Sequence, residues 1–261
     1  MTHIGSFNTN STRISENELF WQIAQGRVGG YSRYVICGRK IGVSATVMSD
    51  LTQIPNVDVL PYPGGIQCRI ISDSANDTSN GTGVRTLRLV YLDTNYDVKS
   101  EVLTVNGLTA VNTVATNIQR IYWMSTITVG SNGVAVGNIS LQNTAGSVTY
   151  EYLKAGENRT LTCHFTVPNN KTAYILAWQV SGKKQTMSIR FRASADPYTG
   201  ELTPGVFTFR SVVDLYNTTS GLLIPIIPGR FLPRTDIKIS AIGDVAGGDT
   251  SGTFQVLCVD D

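Results

Sequence analysis

The stretch VRTLRLVYLDTNYDVKSEVLTVNG, residues 84–107, decides how the chain is to be read. Leu87, Leu89 and Tyr91 share one face of an extended segment, while Thr86 and Arg88 point the other way. Asp93-Thr94-Asn95-Tyr96-Asp97 turns the chain, 98–105 runs back, and Asn106-Gly107 supplies a second tight turn. The period is two, the period of a strand.

The same rhythm extends in both directions. Toward the N-terminus, 31–37 and 41–47 flank Gly38-Arg39-Lys40, a possible hairpin, and 65–71 is a further strand. Residues 52–65 hold Pro55, Pro61, Pro63, Gly64 and Gly65 and make a loop; 72–83 is a pure turn signal. Toward the C-terminus, strands are expected at 118–129, 134–141, 148–153, 160–167, 172–180, 186–193, 205–215, 221–227, 235–242 and 252–259. Many short strands with turns between them predict an all-β protein of β-sandwich or jelly-roll type. Pro168-Asn169-Asn170-Lys171 reads as a hinge. The expected organisation is therefore an N-terminal arm and short helix (1–30) and two consecutive β modules (31–167 and 168–261).

The one helix signal lies at 15–25. Ser15 is a candidate N-cap, Glu18 completes a capping box, Leu19, Phe20 and Ile23 give an apolar face, and Gly26 ends it. So short a helix needs a surface to pack on. Ser15, Glu18, Leu19, Phe20, Trp21 and Ile23 are the candidate residues for contact with a neighbouring subunit or a shell.

Composition narrows the function. The chain has 261 residues, 21 basic and 19 acidic side chains, two histidines and a net charge of +2. Ser and Thr number 51, Asn 17 and Gly 25, against seven Lys. There is no basic block, so nucleic acid is not the expected partner, and no apolar run long enough to predict a membrane helix. The first ten residues lack a charged-then-apolar pattern, so no secretory address is expected. Cys37, Cys68, Cys163 and Cys258 sit in apolar stretches without short spacings, which reads as buried free thiols; structural disulfides are the alternative.

Chemistry-bearing patterns are few. His164 lies between Cys163 and Phe165 in a strand pattern and reads as a satisfied core histidine. Asp93-Thr94-Asn95-Tyr96-Asp97 opens like a calcium loop, but Val98 and Thr104 stand where Gly and Glu are required. Glu101, Glu151, Glu157, Asp196 and Glu201 are glycosidase candidates by type alone. Lys183-Lys184 with Arg190 and Arg192 form a local basic patch beside Phe191. Leu87, Leu89, Trp123, Trp178, Phe207, Phe209 and Phe254 are expected to anchor the core. No catalytic residue, cofactor or metal site is predicted.

Several stretches together carry a resemblance. They are GTGVRTLRLVYLDTNYDVKSEVLTVNG (81–107), IQRIYWMSTITVGSNGVAVGNISL (118–141), FTVPNNKTAYILAWQVS (165–181), PGRFLPRTDIKISA from Pro228, and the terminal FQVLCVDD (254–261). In this order the chain resembles a family of uncharacterised β-sandwich virion structural proteins of tailed bacteriophages of marine and other aquatic bacteria. The resemblance implies a non-enzymatic virion component: a capsid decoration (cement) or head-associated protein, working as a homo-oligomer, a trimer by preference, beside the major capsid protein. A tail or fibre module that binds host surface glycan is the alternative. The implied location is the virion, assembled in the bacterial cytoplasm.

Overall fold

A computed structural model describes residues 21–60, 62–183, 186–216, 219–224 and 229–261. The protein is all-β. In chain order the strands are β1 (Tyr31–Val43), β2 (Ser49–Asp50), β3 (Cys68–Ser72), β4 (Val84–Asp93), β5 (Val98–Thr104) and β6 (Val111–Asn112). Then come β7 (Ile118–Val129), β8 (Ile139–Asn143), β9 (Thr149–Leu153), β10 (His164–Thr166), β11 (Lys171–Lys183) and β12 (Met187–Ala193). The last are β13 (Thr208–Leu215), β14 (Thr219–Leu223), β15 (Gly229–Phe231), β16 (Asp236–Gly243) and β17 (Gly248–Asp260).

Four antiparallel sheets form two sandwiches. In the first, β1-β17-β11-β14 (with β15 on β11) faces β10-β16-β12-β13 (with β2 on β16). Their shared core includes Ile36, Trp178, Phe191, Ile239 and Phe254. In the second, β6-β3-β8-β9 and β5-β4-β7 close over Ile70, Leu87, Leu89, Met124 and Leu141.

The pairing corrects the expected module boundaries. Tyr31 opposes Val259 and the register continues to Val43 opposite Gly248, so β1 belongs to the same sheet as the last strand. Ser49–Asp50 and His164–Thr166 both pair with β16. The second sandwich is thus built from residues within 66–153, inserted between two parts of the first. A split into 31–167 and 168–261 would cut both sheets of the first sandwich. The physical reason is that the long-range ladder between β1 and β17 outweighs the local turn signal at Pro168.

The expected hairpin about Gly38 is likewise replaced by one continuous strand, β1. Gly38 is needed for close approach: a Cβ there would stand 2.3 Å from the Cys163 backbone nitrogen and 2.4 Å from the Leu51 carbonyl oxygen. The glycine admits a neighbouring backbone and turns nothing.

Strand β4 explains the break in its own pattern. Leu87, Leu89 and Tyr91 enter the second core, as their alternation predicts, while Val90 and Leu92 enter the first. From Leu89 onward both faces are buried, and alternation gives way to a continuous apolar run. Strand β7 does the same, with Ile121 and Met124 in one core and Tyr122 in the other. These two strands join the sandwiches.

Of the expected anchors, Leu87, Leu89, Trp178 and Phe254 are buried. Trp123 packs at the core margin under Arg159, whose guanidinium carbon is 4.7 Å from the ring centroid. Phe207 is half-buried, and Phe209 is a correction: it is 61% exposed on β13. All four cysteines are free thiols, and burial pushes those of Cys68 and Cys258 up to about 12.

Candidate functional site: a junction of distant stretches and two apolar edges

The stretches that carry the resemblance lie far apart in sequence and meet in space. The turn after β4 is held by the Asp93 carboxylate, whose Oδ1 accepts the backbone N–H groups of Asn95 (2.9 Å) and Asp97 (3.1 Å). This is a side-chain-capped turn, and the carboxylate that a cation would need is spent on it. The Tyr96 carbonyl accepts the Asn169 N–H at 2.9 Å, which brings the first stretch to the third. Val167 exchanges backbone hydrogen bonds with the segment 234–235, which brings in the fourth: its N–H donates to the Thr235 carbonyl and its carbonyl accepts from Arg234. Lys171 pairs with Asp260, and Thr172 Oγ1 donates to Asp261 Oδ1 at 2.6 Å, which ties in the C-terminal stretch.

Backbone strain concentrates at this junction. Among the described residues, four non-glycine positions have positive φ; Tyr96 (63°), Asn170 (56°) and Arg234 (68°) are three of them. Each costs of order 1 kcal/mol for a side chain with a Cβ. The Arg234 guanidinium lies 5.3 Å and that of Arg120 5.8 Å from the Tyr96 ring centroid, so two cations flank one aromatic ring.

Behind the junction runs a buried polar seam. Arg120 of β7 binds Asp236 of β16 with two parallel hydrogen bonds, and Thr166 Oγ1 donates to the same carboxylate. His164 Nε2 is 3.6 Å from Asp236 Oδ1 and 3.2 Å from Thr166 Oγ1. Burial opposes ionisation of Asp236, but its contact with His164 and the hydrogen bonds and charge of Arg120 prevail and hold it well below the usual carboxylate range. Burial lowers His164, with Asp236 pulling the other way, so the ring is neutral at pH 7. His164 is therefore a satisfied strand histidine, as the sequence suggests. A second pair, Lys238 Nζ to Asp50 Oδ2 at 2.8 Å, is completed by Ser240 Oγ and the Leu60 N–H on the same carboxylate.

Glu151 differs from these carboxylates. It is buried on β9 and accepts Thr162 Oγ1 at 2.6 Å and its neighbour's N–H, from Tyr152, at 3.1 Å. No ion-pair partner touches it among the described residues, and burial raises its pKa to about 7. The other carboxylates considered by type are Glu101 on β5, accepting the Ala115 N–H, Glu157 in the turn after β9, and Asp196 and Glu201, which share the link after β12, where the Asp196 N–H donates to the Glu201 carbonyl. In the basic patch, Arg190 lies over Phe209 and Arg192 over Phe207, with Arg192 also donating to the Phe207 carbonyl; Lys184 lies outside the described residues.

Of the candidate contact residues, Ser15, Glu18, Leu19 and Phe20 lie outside the described residues. Trp21 and Ile23 fall in a helical turn over 21–24; Trp21 is 66% exposed and Ile23 half-buried. Gly26, with φ of 67°, follows this turn as expected.

The surface feature that sequence reasoning missed is apolar. Among the described residues, strand β13 ends one sheet of the first sandwich and β14 the other. Phe209 and Val212 on β13, Leu222 on β14, and Tyr216 and Ile224 beside them are all exposed. The period-two pattern marks 205–215 as a strand but gives no sign of which strands end a sheet.

No protein-family model matches the chain, and no curated protein matches it. Solved structures found similar include the T13 IBDV viral particle, at 9% identity and a TM-score of 0.23, covering 88% of this chain and 70% of that one. T=1 particles derived from infectious bursal virus align at 8% identity and 0.25, covering 89% and 70%. The infectious bursal disease virus VP2 subviral particle aligns at 9% and 0.22, covering 88% and 72%.

Proposed function

We propose that this protein is a non-enzymatic structural component of a bacteriophage particle, a capsid decoration or head-associated protein acting as a homo-oligomer, with a trimer the preferred form. The observation that carries the reading is that β13 and β14 each end a sheet among the described residues and that Phe209, Val212, Leu222 and their neighbours there are exposed. An exposed edge with apolar side chains invites pairing with another chain, and soluble monomers blunt such edges. A particle protein uses them against repeated neighbours.

Two further features support it. The resemblance rests on stretches that meet at one strained junction, so it follows the architecture that locks the two sandwiches together. Trp21, exposed ahead of the β body, suits an N-terminal segment that docks across a subunit boundary. In this reading Ser15, Glu18, Leu19, Phe20, Trp21 and Ile23 contact a neighbouring copy or the major capsid protein. Binding only the assembled shell stabilises it by mass action.

The experiment compares particles with and without the protein. Lower resistance to heat and osmotic shock, with density lost from the head, is expected. Unchanged resistance with an unchanged head surface would overturn the proposal.

A further inference from the structure

Among the described residues, Lys238 and Asp50 form the ion pair that water reaches least. Their side chains are 2% and 0% exposed, whereas Lys40 and Lys171 meet aspartates that stand partly in solvent. The strands fix both ends. Asp50 lies opposite Ser240 in the ladder between β2 and β16, and Lys238 stands two residues from Ser240 on the same face of β16. Lys238 Nζ reaches Asp50 Oδ2 at 2.8 Å. A nitrogen so placed lies roughly 3.5 Å from the carboxyl carbon, the range from which a nucleophile attacks.

The surroundings favour a reaction between the two. Burial lowers the Lys238 pKa and Asp50 only partly restores it, which raises the share of free amine. Two donors hold the carboxyl group: Ser240 Oγ donates to Oδ1 at 2.6 Å and the Leu60 N–H to Oδ2 at 2.8 Å. Both face oxygens on which negative charge builds as the carbon becomes tetrahedral. The Phe207 ring, its centroid 3.9 Å from Nζ, adds an apolar wall beside the amine. A site closed to water also protects an amide from hydrolysis once it has formed.

We propose that Lys238 and Asp50 condense into an intramolecular amide that bolts β2 to β16. The ammonium passes one proton to Oδ2, and the freed lone pair forms the Nζ–Cγ bond. Nζ then gives a second proton to Oδ2, the Cγ–Oδ2 bond breaks, and Oδ2 leaves as water. Oδ1 remains as the amide carbonyl oxygen, still accepting from Ser240. An ammonium and a carboxylate become an amide and one water, so no oxidant, reductant or further reactant is needed. The link ties together residues 188 positions apart, and so restricts the unfolded chain as a disulfide closing a long loop does. It goes beyond the assembly role and does not depend on it, because neither residue lies on β13 or β14.

Intact-mass spectrometry of the full chain, purified and held at pH 7, tests this. The expected mass is one water below that of the sequence. Digestion should then yield a branched peptide joining the fragments that hold residues 50 and 238. Lys238→Arg keeps the positive charge but removes the amine nucleophile, and should show the full sequence mass. Should that variant fail to fold, the branched peptide of the wild-type chain still decides. A wild-type chain at full mass, a water lost as an aspartyl succinimide without a branched peptide, or a loss that persists in Lys238→Arg would overturn the proposal.

Discussion

Arg120 reaches from the second sandwich into the first and grips Asp236, Nε to Oδ1 at 3.0 Å and Nη2 to Oδ2 at 3.1 Å. The geometry is the planar fork that arginine offers a carboxylate and lysine cannot reproduce. Both side chains are largely shielded from water, so removing one partner strands the other. Arg120→Ala should cost about 3 kcal/mol in denaturant unfolding, and Arg120→Lys should recover only part of it. A loss under about 0.5 kcal/mol would mean that the seam does not hold the sandwiches together.

Glu151 makes stability depend on pH. Its pKa in the fold, about 7, lies above the ordinary 4.5, so the folded state holds this proton more tightly than the unfolded chain does. The stabilisation is fully present below pH 4.5, declines as pH rises through 7, and is absent above. The difference is of order 3 kcal/mol as an upper bound. Glu151→Gln keeps an acceptor for Thr162 and removes the charge. Melting curves from pH 5 to 8.5 should show this decline in the wild type and a flatter profile in the variant, which becomes the more stable at pH 8.

Gly38 tests the reading of β1. A methyl group there has no room against the Cys163 and Leu51 backbones, neither of which can swing aside as a side chain would. Gly38→Ala should destabilise by about 2 kcal/mol or more, measured by thermal or chemical unfolding. A neutral result would contradict the packing of β1 against residues 51 and 163.

How much of this was legible beforehand depends on range. The strand at 118–129 and the turn at 93–97 follow from local signals and stand where alternation and turn chemistry put them. The register of β1 against β17 has no local signal, since the two strands lie more than 200 residues apart. That is why Gly38 read as a turn and Pro168 as a boundary. Asp77 illustrates the same limit at the level of one side chain. In a segment that reads as plain turn, it is buried and accepts hydrogen bonds from Ser72 Oγ and from the N–H groups of Val84, Val136 and Gly137. Only the fold gathers those donors. The exposure of Phe209 was hidden likewise, because an aromatic residue in a strand gives no sign that its strand ends a sheet.

The exposed apolar side chains on β13 and β14 predict behaviour in solution. Phe209→Ser with Leu222→Ser should shift the protein toward the monomer in light scattering at matched concentration, with the melting temperature of the β body little changed, because both side chains are exposed. Association that survives this pair of changes would place the subunit contact elsewhere.

The central claim, a structural part of a virus particle, is tested most directly by counting the protein in purified particles by quantitative mass spectrometry against the major capsid protein. The account predicts a fixed ratio set by the symmetry of the head lattice. Absence of the protein from particles that are otherwise complete would contradict it.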